Sequence, residues 1–200
     1  NNMKQSFKLF NFVGSPVELS YWFFLLFLIL PVPTVIAVFI SILIHELSHA
    51  YVADRLGWMV SGIRIDLFTG SAAVDTNIHE RDSIPVVAAG PLSNLALAIV
   101  SIFIGVFFPY NFLVTMVVVN IILFLFNILP IYPMDGGRIL RDTLYLKLKN
   151  RRKSVRISAV VSLITTALVL LYAISTFSVI LIIFCLLFGY MALKDLDFIK

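Results

Sequence analysis

The feature that most constrains this chain is a group of ionisable residues, His45-Glu46-Leu47-Ser48-His49, inside an apolar run. Between Thr34 and Ala53 the only charged residue is Glu46. At about 1.5 Å per residue, a helix of this length crosses a bilayer core of about 30 Å. Ionisable side chains are costly at that depth unless they are paired or functional. The sequence therefore predicts a functional cluster inside the membrane.

The spacing of the two histidines predicts a shared metal ion. On a helix, positions i and i+4 lie on one face, one turn apart, so His45 and His49 can bind the same ion. Glu46 lies beside them. Zinc held by two imidazoles, with a nearby carboxylate as general base, is an arrangement that activates water against an amide. The alternative is a chance HExxH pattern on an ordinary buried helix, which the cost of burying three polar groups disfavours.

Composition predicts an all-α polytopic membrane protein. The chain is 60% hydrophobic and 13% charged, whereas about 25% charged is usual for soluble domains. Apolar runs separated by charged segments predict six transmembrane helices, and we expect one integral-membrane domain over residues 1–200 with no additional soluble domain. The predicted spans are roughly 16–30, 34–54, 84–108, 111–129, 156–174 and 177–193. Pro31 and Pro33 are expected to close the first span in a tight turn.

The basic residues predict the orientation. In a six-span arrangement all 15 Lys and Arg residues fall on one side, which the positive-inside rule makes the cytoplasm. We therefore expect a multi-pass protein of the cell membrane with cytoplasmic N- and C-termini. The net charge of +4 then reflects topology and attraction to anionic lipids, and we expect a lipid bilayer rather than nucleic acid as partner.

A short strand region is predicted between the second and third spans. Residues 63–67 alternate apolar and polar side chains, with Gly62 before them and Gly70 after. This period of two is typical of a β-strand or small β-hairpin. Two uses remain open: residues 62–70 include an edge strand that pairs with an extended substrate, or they form a hairpin that covers the helix ends.

A catalytic zinc site usually has three protein ligands, so one more is expected. Asp135 is the stronger candidate, because prolines and glycines around it prevent continuous helix and allow a close backbone approach. It also lies toward the same predicted side of the membrane as the histidines. His79, in a polar run typical of a solvated loop, is the weaker candidate. A helix N-cap is an alternative role for Asp135.

With these residues identified, the chain resembles the site-2 protease family of intramembrane zinc metalloproteases. His45-Glu46-Leu47-Ser48-His49 matches the family's HExxH motif, residues 89–94 (Ala-Gly-Pro-Leu-Ser-Asn) resemble its glycine-proline motif, and residues 127–138 resemble its asparagine-proline-aspartate-glycine-glycine segment. The three motifs occur in the family's order on successive spans. Ser48 stands where many members have glycine, and residues 68–71 (Phe-Thr-Gly-Ser) stand where a double glycine is frequent.

The resemblance implies a function and a set of roles. It implies one Zn²⁺ held by His45, His49 and Asp135, with Glu46 as the base that deprotonates the attacking water. It implies hydrolysis of a peptide bond in a transmembrane or membrane-adjacent protein, often to release a regulatory factor. Asn127 and Pro130 would by resemblance lie near the substrate path.

Two other classes of protein are alternatives. A membrane metallopeptidase of another type would draw its third ligand from a later glutamate, but no Glu follows Glu80. A non-catalytic metal-binding regulator or a metal transporter remains the alternative function. A transporter is expected to carry polar residues through several spans, whereas the last two predicted spans carry no charge between Arg156 and Lys194.

Overall fold

The computed structural model describes residues 6–66, 70–74 and 79–197. Its chain forms two compact units, residues 1–78 with 89–125 and residues 79–88 with 126–200. The strands are β1 Ser6–Phe12, β2 Ser15–Ser20, β3 Val60–Ile65 and β4 Gly70–Val74. The helices are α1 Val32–Arg55, α2 Glu80–Phe107, α3 Asn111–Ile128, α4 Asp135–Leu148, α5 Arg151–Ser175 and α6 Val179–Asp197, and a 3-10 helix covers Tyr21–Leu28.

The first unit contains a four-stranded sheet in the order β1-β2-β3-β4. β1 and β2 are antiparallel, β2 and β3 are parallel with Val17 opposite Ile63, and β3 and β4 are antiparallel. Apolar side chains of β2 and β3 point to one face, where Leu19 and Ile65 pack against Val35 of α1. Ile63 packs against Ala50, further along the same helix. The sheet therefore supports much of the helix that carries the histidines.

The register of the sheet also aligns three charged residues. Lys8 lies opposite Glu18, and Glu18 lies opposite Arg64 on the next strand. Cross-strand neighbours of opposite charge stabilise a sheet. Ser6 Oγ donates to Glu18 Oε2 at 2.7 Å, and Arg64 Nε lies 2.9 Å from Asp66 Oδ2. The predicted strand region is present as β3 and β4, which belong to a larger sheet that includes the N-terminal strands. Residues 67–69 of the predicted region lie outside the described residues.

The predicted first span, residues 16–30, is wrong. These residues form most of β2 followed by the 3-10 helix Tyr21–Leu28. Eight residues of 3-10 helix rise about 16 Å at about 2.0 Å each, which is about half of a bilayer core. Val17, Leu19 and Phe23 of this stretch are buried, whereas most of the other large apolar residues of the 3-10 helix are exposed. Pro31 and Pro33 lie at the start of α1, where proline fits the first turn.

Among the described residues, four helices are long and apolar enough to cross a membrane, namely α1, α2, α3 and α5. They identify an integral membrane protein. They correspond to the predicted spans 34–54, 84–108, 111–129 and 156–174. In α6 the apolar stretch Leu181–Lys194 is shorter, so a span over 177–193 stays a prediction. The prediction of one domain over residues 1–200 also stays a prediction. In the second unit, α5 contacts both α4 and α6.

Candidate metal centre

His45 and His49 lie on the buried face of α1. Residues at four-residue spacing, Ala37, Ser41, His45, His49 and Ala53, are all buried. The two imidazole rings lie with their centroids 4.7 Å apart and their planes at 86°. Glu46 is also buried, with 5% of its surface exposed. The helix periodicity predicted from the sequence therefore brings both imidazoles together in a protected position.

Gly90 of α2 lies directly against the two rings. A Cβ atom at this position would overlap Nε2 of both His45 and His49. Only glycine allows the backbone to approach so closely. The same contact also identifies which ring nitrogens lie together, since both Nε2 atoms are at Gly90. A pair of adjacent imidazole nitrogens is the geometry that a shared metal ion requires.

The other nitrogen of His45 has a partner one turn further along α2. Asn94 Oδ1 lies 2.5 Å from His45 Nδ1. Metal-binding histidines commonly donate their second ring N–H to an oxygen acceptor, which fixes the orientation of the ring. A hydrogen bond from Nδ1–H to this oxygen would leave the lone pair of His45 on Nε2.

In the second unit, Asp135 is the first residue of α4 and is 6% exposed. A carboxylate in the first turn is stabilised by the positive end of the helix dipole. Arg138, one turn later, has its Nη1 atom 3.8 Å from Asp135 Oδ1. The N-cap residue is Met134, so the N-cap role considered for Asp135 is wrong.

The segment before Asp135 is folded tightly over the start of α4. A Cβ on Gly136 would overlap the carbonyl oxygens of Ile128 and Leu129, and a Cβ on Gly137 would overlap the backbone at Ile131 and Tyr132. Both glycines are therefore required by the close approach of this segment. They allow the irregular chain to hold the carboxylate at a fixed position.

Ser162 of α5 fixes the same segment from the other side. Its hydroxyl donates to the carbonyl of Pro130 at 3.2 Å and accepts from the backbone N–H of Tyr132 at 3.1 Å. Irregular backbone at membrane depth needs such partners, because no lipid group can supply them. Pro130 and Asn127 are both half-buried.

His45, His49 and Asp135 are the group of described residues that could hold a metal ion, and all three are buried. Two imidazoles and a carboxylate are a donor set used by catalytic zinc. The close approach of Gly90 to both Nε2 atoms fits such a site. His79, the weaker candidate, is exposed just before α2 and is not part of this group.

Sequence reasoning assigned no role to Asn94, Asn120, Ser41 and Ser162. In the sequence, Asn94 stands out only as the last residue of the glycine-proline motif. A usable signal was nevertheless present, because a polar residue inside an apolar span is a candidate for a functional role by default. Which partner each of them meets depends on tertiary packing.

Comparison with known proteins identifies the family of this chain and agrees with its fold. Residues 33–110 and 109–172 match Peptidase family M50, and the chain belongs to that family. Its structure superposes on the site-2 protease from Methanocaldococcus jannaschii with a TM-score of 0.72 and 31% identity, covering 96% of this chain and 95% of that one. The resemblance noted in the sequence is thereby confirmed.

Curated relatives include zinc metalloproteases. A zinc metalloprotease from Methanocaldococcus jannaschii is 32% identical over 197 residues, which cover 90% of this chain and 58% of the relative. Stage IV sporulation protein FB of Bacillus subtilis is 30% identical over 105 residues, which cover 50% of this chain and 36% of the relative. The chain therefore spans between about a third and three fifths of the length of these two relatives.

Proposed function

We propose that this protein is an intramembrane zinc endopeptidase that cleaves a transmembrane or membrane-adjacent protein substrate. The observation that carries the proposal is the buried group of two histidines and an aspartate on apolar helices of a chain that belongs to Peptidase family M50. His45, His49 and Asp135 would hold one Zn²⁺. Bound zinc would supply Lewis-acid chemistry, acidifying water and polarising the substrate carbonyl.

The chain's own residues have separate roles in this proposal. Glu46, buried next to the first histidine, accepts the proton of the attacking water and passes it to the leaving amine. Gly90 leaves room at the two Nε2 atoms. Asn127 and Pro130, on the segment that leads to Asp135, would border the substrate path.

A substrate strand that joins the sheet would pair with β4 and not with residues 62–65 of β3. β3, which contains residues 62–65, has β2 on one side and β4 on the other. Its backbone groups are therefore already used by neighbouring strands. Of the hairpin that the sequence predicted over residues 62–70, the strand at the sheet edge is β4, Gly70–Val74. An extended substrate would add to that edge.

A helical substrate must unwind locally before it is cut, because its amides are held in helical hydrogen bonds. We therefore expect a Gly-Pro pair placed near the cleavage point of a model transmembrane substrate to raise the cleavage rate. The measurement compares this substrate with an all-leucine version in the same vesicles. Equal rates for both substrates would contradict the requirement for unwinding. A metal chelator should stop cleavage of both, and added zinc should restore it.

The orientation proposed is a cytoplasmic sheet with both ends of this chain on the cytoplasmic side of the cell membrane. Lys8 and Arg64 belong to one sheet, so β2 and β3 lie on the same side of the membrane. In the proposed orientation the segment before α1 enters the bilayer from that side, and α1 brings the chain back to it. The basic residues then stay on one side even though residues 16–30 do not span. The positive-inside rule favours the cytoplasm for that side.

A further inference from the structure

Three buried polar residues form a hydrogen-bonded group that reaches His45 Nδ1 through Asn94. Asn94 of α2, Asn120 of α3 and Ser41 of α1 are each 0% exposed. All three helices are long and apolar enough to cross a membrane. Polar groups at such positions need complete hydrogen bonding, because an unsatisfied one is costly. The hydrogen bonds of this group therefore fix which atom of each side chain donates and which accepts.

The orientation of the Asn120 amide group is fixed by two acceptors. Its Nδ2 donates to the carbonyl of Met116 at 2.8 Å and to Ser41 Oγ at 2.9 Å. Ser41 Oγ uses its own hydrogen on the carbonyl of Ala37 at 2.7 Å. A backbone carbonyl can only accept, so turning the amide of Asn120 over would bring two acceptors together. Its Oδ1 must therefore face Asn94.

The same reasoning fixes Asn94. Its Nδ2 donates to Asn120 Oδ1 at 2.9 Å and to the carbonyl of Ser41 at 3.3 Å. Both partners accept in this arrangement, so both hydrogens of Asn94 are used. What remains is Oδ1, 2.5 Å from His45 Nδ1. An amide oxygen accepts only, and it requires a hydrogen on Nδ1.

We propose that Asn120 and Ser41 are positioning residues that act through Asn94 to hold neutral His45 in its Nδ1–H tautomer. The lone pair then lies on Nε2, the atom beside Gly90 and His49. The histidine would be ready to bind zinc without a change of tautomer. The zinc part of this inference rests on the proposed function, whereas the tautomer is a property of the zinc-free protein.

The tautomer can be measured directly in the unmodified chain. Zinc-free protein labelled with ¹⁵N-histidine is examined by long-range ¹H–¹⁵N correlation at a pH where imidazole is neutral. The chain has 3 histidines, so His49→Gln and His79→Gln variants assign the signals. We expect His45 to carry its proton on Nδ1. A proton on Nε2 would overturn the proposal.

Substitution of Asn120 tests whether this residue acts on His45 through Asn94. Asn120→Leu is close in size but removes the 2.9 Å acceptor of Asn94 Nδ2, so that only the longer 3.3 Å hydrogen bond to the Ser41 carbonyl still orients Asn94. We expect both tautomers of His45 and a zinc Kd raised about 10- to 100-fold, as for other partners of metal-bound histidine. Zinc affinity is measured by competition with a chelator of known Kd. Ser41→Ala, which removes one acceptor, should shift both readouts less in the same direction and serves if Asn120→Leu does not fold.

The matched control is Thr166→Val in α5. It removes a hydroxyl that is buried and lacks a hydrogen-bond partner in the described part of the chain. We expect it to leave the His45 tautomer and the zinc Kd unchanged. An unchanged Kd in the Asn120 and Ser41 variants, or an equal loss in the control, would overturn the proposal. A protein with the Nδ1–H tautomer but no proteolysis would contradict only the proposed function.

Discussion

Replacing Glu46 with glutamine is expected to abolish proteolysis while leaving zinc bound. The side chain is buried beside His45 on α1, and glutamine has the same shape but cannot accept the proton of the attacking water. General acid-base groups contribute about 10²–10⁴-fold to rate, so kcat should fall by at least that factor. The measurement is single-turnover cleavage of a model transmembrane substrate, with zinc content determined on the same sample.

The control for this substitution is Glu18→Gln. Glu18 lies in the sheet of the same unit, where it accepts a hydrogen bond from Ser6 Oγ at 2.7 Å. The Glu18→Gln substitution makes the same change of carboxylate to amide at a position away from the two histidines. We expect nearly normal cleavage. Full activity of the Glu46→Gln protein would remove Glu46 as the base and would leave the metal site without its proposed proton acceptor.

Gly90→Ala is expected to prevent zinc binding. The added methyl would overlap Nε2 of both histidines, so the rings or the helix must move apart. Alanine is a better helix former than glycine by about 1 kcal/mol, so helix propensity alone predicts a more stable α2 and no loss of zinc. Loss of zinc would therefore be attributable to the contact itself. Zinc binding is measured by titration of the purified metal-free protein.

Gly105→Ala, on the same helix, is the matched control. A Cβ there would meet Leu113 Cβ at 4.0 Å, an ordinary contact. Zinc affinity should be that of the parent. Parental zinc affinity in Gly90→Ala as well would contradict the close approach of α2 to the two histidines.

Local patterns predicted the parts of this protein that depend on a single element. The four-residue spacing of His45 and His49 placed both on one buried face of α1, and alternation around Ile63 predicted a strand that the structure contains as β3. The apolar runs that became α1, α2, α3 and α5 were also predictable from length and hydropathy. These features follow from periodicities that a sequence displays directly.

Features that depend on contacts between distant elements were not predictable. Residues 16–30 are as apolar as a span, but Val17 and Leu19 are buried because β2 pairs with β3, more than forty residues later. Hydropathy alone does not distinguish a membrane-spanning helix from a buried strand followed by a 3-10 helix. The partners of Asn94 likewise come from α1 and α3. The orientation of the Asn94 amide is therefore determined only when α1, α2 and α3 pack together.

The most direct test of the proposed centre is the zinc content of the purified protein, compared with that of Asp135→Ala. Asp142→Ala is the control, since Asp142 is also a buried carboxylate of α4 and accepts a hydrogen bond from Ser83 at 2.6 Å. We predict about one zinc per chain in the parent and in the control, as for a single three-ligand site, and a clear loss in Asp135→Ala. Full zinc retention without Asp135 would contradict the proposal that this carboxylate completes the site with His45 and His49.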